Sequence, residues 1–258
     1  MKRLLCILLM SILVLSLFSF TAFAEQTNHI ENTSMTLLRA GGGGGSSGGS
    51  GSGGGSSSSS YHYVPYGRGS WVSDLINAVI FPIIFCSSAI AFYFKLSKRS
   101  RKSKKLIKQI QSSDNAWKFK NIQKTVEESF YAIQNAWTDL DMTNATEYLS
   151  DELLESFNIK LNWMKHRKEK NILKDITLLK ALPVAVYDDS DNSRDHIWFY
   201  IKGKMVDYTV NTETMTKTDG STSATSFVEY WQYIRKDDRW VLNKILQKNE
   251  EDKIAFTE

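Results

Sequence analysis

The chain has 258 residues, 32 Lys+Arg against 28 Asp+Glu, and a formal net charge of +4. The charge is unevenly spread: eight basic residues and no acid lie between Lys95 and Lys108, whereas from Gln109 onward 20 Lys+Arg face 25 Asp+Glu, a balance of −5. A nucleic-acid-binding domain would carry the basic footprint itself, so nucleic acid is excluded as a partner. The only cysteines, Cys6 and Cys86, lie in apolar segments, so the globular part holds neither a disulfide framework nor a thiolate metal site.

In chain order, residues 1–24 read as a secretory signal. Lys2 and Arg3 form a positive start, Leu4–Phe20 is apolar, and Ala22-Phe23-Ala24 is a cleavage pattern. An uncleaved first anchor is the alternative, and both versions export the segment after it. Residues 25–70 read as an extracytoplasmic disordered segment. Its Gly41–Ser60 stretch is all Gly or Ser, a flexible coil spanning about 25 Å. Tyr61, Tyr63, Tyr66 and Trp71 then suit either a headgroup region or a sticky linker.

Residues 71–95 read as a transmembrane helix. Leu75–Phe94 carries no charge, and about 20 apolar residues cross the hydrocarbon core. Pro82 is tolerated in such a span. The soluble alternative, a buried core helix, is disfavoured by the basic residues that come immediately after it: Lys95, Lys98, Arg99, Arg101, Lys102, Lys104 and Lys105. Lys/Arg excess marks the cytoplasmic flank, which predicts a single-pass cell-membrane protein with its C-terminal domain in the cytoplasm. The same residues form a candidate surface for anionic membrane lipid, each adding about 1 kcal/mol. Residues 96–112 are expected to act as a short charged stalk.

Residues 113–250 have a globular pattern, with 251–258 as a tail. Ile122, Val126, Phe130, Ile133, Trp137 and Leu140 repeat at helical spacing. Asn144 with Glu147 suggests a capping box for a short turn of helix. Ser150 before Asp151 and Glu152 predicts a helix start, faced by Leu153, Leu154, Phe157, Leu161 and Met164. The period then changes to two. Strands are predicted over Ile176–Tyr187, with Pro183 at an edge or bulge, and over Ile197–Val210, with Gly203 at a bulge or bend. Thr212–Ser223 reads as a polar connection with a turn at Asp219-Gly220. Phe227–Arg235 and Trp240–Leu246 complete the set around an Asp237-Asp238 turn. The expected fold class is α+β: helices on one face of a four-stranded antiparallel sheet.

Two segments carry a family resemblance. One is the helix pair Val126–Leu140 and Ser150–Met164, joined through "YLSDELLESF". The other is the hairpin "FVEYWQYIRKDDRWVLNKI". Over about Trp117–Gln247 the chain resembles the TIM forty-four-like domain, and its layout resembles bacterial members of that family. The resemblance implies a cone-type, nuclear-transport-factor-two-like fold. It also implies a non-enzymatic domain that works with membrane lipid and protein partners, as in the mitochondrial subunit that tethers an import motor. The chain has no counterpart of that subunit's long coiled N-terminal region, which contacts the motor chaperone.

The inventory for catalysis is thin. His166 lies in Lys-His-Arg and His196 follows Asp195; both read as surface, and no His pair has metal-ligand spacing. Gly203 and Gly220 are the only glycines after Gly69, so no phosphate cradle is built. No metal or other cofactor is expected. Asp207, between Val206 and Tyr208, is the one candidate for a tuned carboxylate; the alternative is the solvent face of an alternating strand. Trp198, Tyr200, Asp207, Tyr230 and Trp231 form a candidate pocket for an apolar ligand, lipid chain or peptide, although aromatics in this number also serve as core. The expected function is a membrane-anchored, non-enzymatic binding or tethering domain, with a link to protein translocation or membrane protein assembly. The alternative is a small-molecule enzyme or ligand-binding protein using the pocket.

Overall fold

The computed structural model describes residues 71–256, without the side chains of residues 71–86 and 88. The expected signal and Gly/Ser-rich segments lie outside the described residues. The elements run α1 (Trp71–Ile110), α2 (Phe119–Asp139), α3 (Asp151–His166), β1 (Glu169–Tyr187), β2 (His196–Asn211), β3 (Lys217–Lys236) and β4 (Arg239–Gln247). Short 3₁₀ turns lie between and after them. Among the described residues no helix is long and apolar enough to cross a membrane. Most of the expected span, Leu75–Phe94, falls where side chains are outside the description.

The α2 stripe is as the spacing predicts: Ile122, Val126, Phe130, Ile133 and Trp137 are all buried. The helix stops where Leu140 turns left-handed (φ 58°) and its N–H returns to Ala136 and Trp137. Ser150 caps α3, its Oγ accepting from the Leu153 N–H at 3.2 Å. The expected Asn144–Glu147 capping box does not form. That turn starts after Met142, so Asn144 lies inside it, with no side-chain cap; the Asp141 carboxylate accepts from the Thr143 N–H at 2.9 Å.

The sheet is an antiparallel meander in the order β1-β2-β3-β4. Pro183 sits on the edge strand β1 beside a register shift, the place a residue without an N–H fits. Two strands are longer than their sequences predict. β3 begins at Lys217, so Asp219-Gly220 pairs with Thr209 and Tyr208 instead of turning. The turn lies earlier, where Asn211 Oδ1 accepts from the N–H groups of Glu213 and Thr214. This extension is polar and largely exposed, so apolar alternation is absent.

Both faces of the sheet are covered. Ile197, Phe199 and Ile201 join Phe227, Trp231 and Tyr233 in the core under α2 and α3. The alternate residues Trp198, Tyr200 and Tyr230 form a second cluster with Leu96 and Ile254. Helices on one face is therefore corrected: α2 and α3 cover one side with Ile107 of α1, and the stretch of α1 at Phe92 and Leu96 lies on the other. Gly203 stands where a Cβ would come within 2.6 Å of Phe227 Cε1 and 3.2 Å of Phe130 Cζ. The register shift between Leu178 and Lys180 lies opposite Gly203, where a bulge is expected, and close ring packing also demands the glycine. Gly203→Ala should therefore cost about 1–3 kcal/mol, read as a lower urea midpoint.

Burial pushes the Tyr200 hydroxyl up from 10.0 to about 12 and raises Tyr230 and Tyr233 for the same cause. With a raised folded value, the unfolded chain ionises first. The stability that Tyr200 contributes is full below 10.0 and is lost as pH climbs from there toward about 12, and the loss from Tyr230 and Tyr233 continues above it. Urea midpoints should fall across that window, and Tyr200→Phe should flatten the fall.

Candidate functional site

The helical repeat divides the last turns of α1 into two faces. Leu96, Ser100, Ser103 and Ile107 are buried, with Phe92 and Ile110 partly so. On the opposite side Lys98, Arg101, Lys102, Lys105 and Lys108 are exposed. Among the described residues they make no ion pair. The other basic residues expected with them are engaged. Lys95 lies 3.8 Å from Glu251, the Arg99 guanidinium sits 3.3 Å from the centre of the Phe256 ring, and Lys104 lies 5.5 Å from the Phe119 ring centre. At the N-terminal side of this basic ridge, Ile90 and Phe94 are 51% and 74% exposed.

Residues 96–112, expected as a stalk, are thus mostly a docked helix. Leu96 is 4% exposed against the outer face of the sheet, and Ile107 reaches the main core. The expected tail is also part of the fold. Ile254 is buried with Leu96, and Phe256 packs beside them. Glu251 accepts from the Tyr230 hydroxyl at 2.7 Å. The tail and β1 therefore hold α1 from both sides.

The candidate pocket does not assemble. Trp198, Tyr200 and Tyr230 belong to the outer cluster, while Trp231 is fully buried in the inner one. Strand alternation sends neighbours to opposite faces, which separates Tyr230 from Trp231. Asp207 is neither in that pocket nor on a solvent face. It is 7% exposed, and its Oδ1 accepts from Asn171 Nδ2 at 2.9 Å on the next strand. Two clefts open elsewhere. One, of about 270 Å³, is lined by Thr125, Glu128, Glu147, Tyr148 and Trp240 among others. The other, of about 310 Å³, lies along α3 at Glu152, Glu155, Ser156, Ile159 and Lys160. Among the described residues no group of His, Cys, Asp and Glu is arranged to hold a metal ion.

Two buried charged groups carry no motif that singles them out in the sequence. Glu229 is fully buried and accepts from Trp231 Nε1 at 2.9 Å. It shares the parity of Phe227, Trp231 and Tyr233, which is the available signal. Arg235, on the same parity, donates to Asp195 at 3.2 Å and Asp238 at 3.1 Å, and also to Asp114. It ties the β1–β2 connection and the β3–β4 turn to the segment after α1. Asp188, beside this cluster, is raised by burial and by the charges of Asp195 and Asp114.

A family model described as the Tim44-like domain matches residues 103–247, and the chain belongs to the Tim44-like domain family. Among solved structures, the intermembrane-space region of the chloroplast protein ARC6 is similar, at 13% identity and a TM-score of 0.34, over 48% of this chain and 96% of that one. No curated protein matches the chain.

A docked α1 makes a measurable claim. Leu96→Ala should destabilise the fold by about 2–5 kcal/mol, and Lys98→Ala, two positions on, by under about 0.5 kcal/mol. Equal small effects in urea titrations would identify a free stalk instead.

Proposed function

We propose that this Tim44-like protein is a membrane-anchored, non-enzymatic binding domain that receives a protein or peptide partner at the cytoplasmic face of a cell membrane. The observation that supports it is the change in α1 at Phe94/Lys95. The sequence before this point is apolar and uncharged back to Leu75, and the turns after it are basic on the side that the sheet leaves free. An apolar run of about 20 residues suits a span, and the basic flank suits both the cytoplasmic side and anionic headgroups. In this reading the ridge Lys98, Arg101, Lys102, Lys105 and Lys108 faces lipid phosphates where α1 leaves the bilayer. Family membership supports a tethering role near protein translocation or membrane protein assembly. The placement of Asp207 supports a non-enzymatic domain: its carboxylate is bonded to the neighbouring strand instead of lining a pocket.

The full-length protein in its own membrane should resist carbonate extraction, and Ile80→Lys with Ile83→Lys should release it. Protease added outside intact cells should spare residues 113–250; digestion of that region would overturn the orientation. In the released variant, residual binding to phosphatidylglycerol vesicles should weaken with added salt. It should also fall about fivefold for each of Lys98, Arg101, Lys102 and Lys105 changed to Gln.

A further inference from the structure

The helix α3 has a second face that the fold does not use. Phe157, Leu161 and Met164 are buried against the core. On the opposite side Glu152, Glu155, Ile159, Trp163 and His166 are exposed and follow one another at steps of three and four, which sets them in one row along the helix. Ile159 is 50% exposed and Trp163 63%. A Trp and an Ile one turn apart on a free face, rimmed by polar groups, have the composition of an interface centre. The cleft of about 310 Å³ opens in the same row, walled by Glu152, Glu155, Ser156, Ile159 and Lys160.

Charge is divided along the same helix. Its first half holds Asp151, Glu152 and Glu155; its end and the turn after it hold Lys165, His166, Arg167 and Lys168. Asp151 is taken by Lys236, Arg167 by Glu169 and Lys168 by Glu213. Glu152, Glu155 and Lys165 make no ion pair among the described residues. A helix that is acidic at one end and basic at the other is complementary to a reversed copy of itself and repels a parallel one.

We infer that the outer face of α3 is the contact between two copies of this chain, with the helices antiparallel across a two-fold axis at Ile159. That register sets Ile159 against Ile159 of the second copy, Trp163 against Glu155 and Ser156, and His166 against Glu152. The last two contacts each occur twice, as an isologous interface requires. The Trp163 ring of each copy enters the cleft of the other. Ile159 gives the indole an apolar wall, and the carboxylates of Glu152 and Glu155 stand at the rim to accept its N–H. Aromatic anchors seated in pockets carry most of the energy of an interface. Lys165, on the flank of the row, comes level with the acidic half of the second helix. Helices of 16 residues are about 24 Å long, so the contact is small and the pair dissociates readily. The face belongs to α3 alone, so the pairing stands whether or not α1 lies in a membrane.

The test uses the full-length chain with Cys6 and Cys86 changed to Ser and one new cysteine, treated in whole cells with a short, membrane-permeant bismaleimide. Ile159→Cys should cross-link into a dimer, and Asn192→Cys, in the β1–β2 connection, should not. Glu152→Cys alone and His166→Cys alone should stay monomeric, since each lies about 21 Å from its own counterpart along the helix; co-expressed, they should cross-link to each other. Trp163→Ala should lower the Ile159→Cys yield about tenfold or more. Glu152→Lys with Glu155→Lys should lower it too, and adding Lys165→Glu with His166→Glu should restore it. Glu152, Glu155 and Trp163 are exposed, so urea midpoints of their variants should hold, and a lost cross-link then reports a lost contact. No cross-link at 159, cross-linking of Glu152→Cys to itself, or no rescue by the reversed charges would overturn the pairing. A cross-link from 159 to a different protein would overturn it as well and assign the face to that partner.

Discussion

Trp198, Tyr200 and Tyr230 point away from the main core, and something has to keep their rings from water. The C-terminal part of α1 does this, with Leu96 at the centre of the cluster and Ile254 beside it. Full burial of one such apolar side chain is worth roughly 1.5–3 kcal/mol, so docking the helix is a substantial part of the fold's stability. The direction of the N-terminal half of α1 is then no longer free. α1 is one continuous helix from Trp71 to Ile110, so whatever fixes its C-terminal part aims its apolar part as well. A flexible stalk would leave the domain free to tumble relative to the helix; a docked helix gives it one attitude.

The opposite face obeys a different constraint. Its rings are packed closely enough that Gly203 has no room for a methyl group beside Phe227 and Phe130. Within the same sheet, Arg235 is held by three carboxylates. Buried ion pairs add little over apolar packing, but loss of one partner is costly. The cluster therefore specifies position more than it adds stability: it joins two sheet connections to the segment after α1. The segment after α1 is fixed by charge and α1 itself by apolar contact at Leu96 and Ile107, and separated attachments fix an axis where one would leave a hinge.

Much of this is legible in the sequence where one face is apolar. The α2 stripe, the Ser150 cap, the Asp237-Asp238 turn and the alternation of β2 each follow from a period or a turn residue. The failures share a cause. The first part of β3 is exposed, so Lys217–Ser223 show no period and read as part of the polar connection Thr212–Ser223. The basic residues of α1 read as a stalk because the seven charges obscure Leu96, Ser100, Ser103 and Ile107, which repeat at helical spacing among them. The pocket fails for a further reason: it groups residues adjacent in sequence, although Tyr230 and Trp231 have to point to opposite faces. The same parity places Glu229 and Arg235 inside, on the face of Phe227 and Tyr233.

Filling both faces of the sheet also bears on what kind of function the fold can serve. A ligand-binding cone needs an open space between sheet and helices, and here Phe130, Phe227, Trp231 and Phe157 occupy that region. Asp207 and Glu229, the buried acids of the sheet, are hydrogen-bonded to Asn171 and Trp231. Recognition is thereby left to surfaces. Of the tryptophans with described side chains, Trp163 alone is largely exposed, at 63%, one helical turn from the half-exposed Ile159. It lies on α3, on the core side of the sheet, opposite the outer cluster that Leu96 covers.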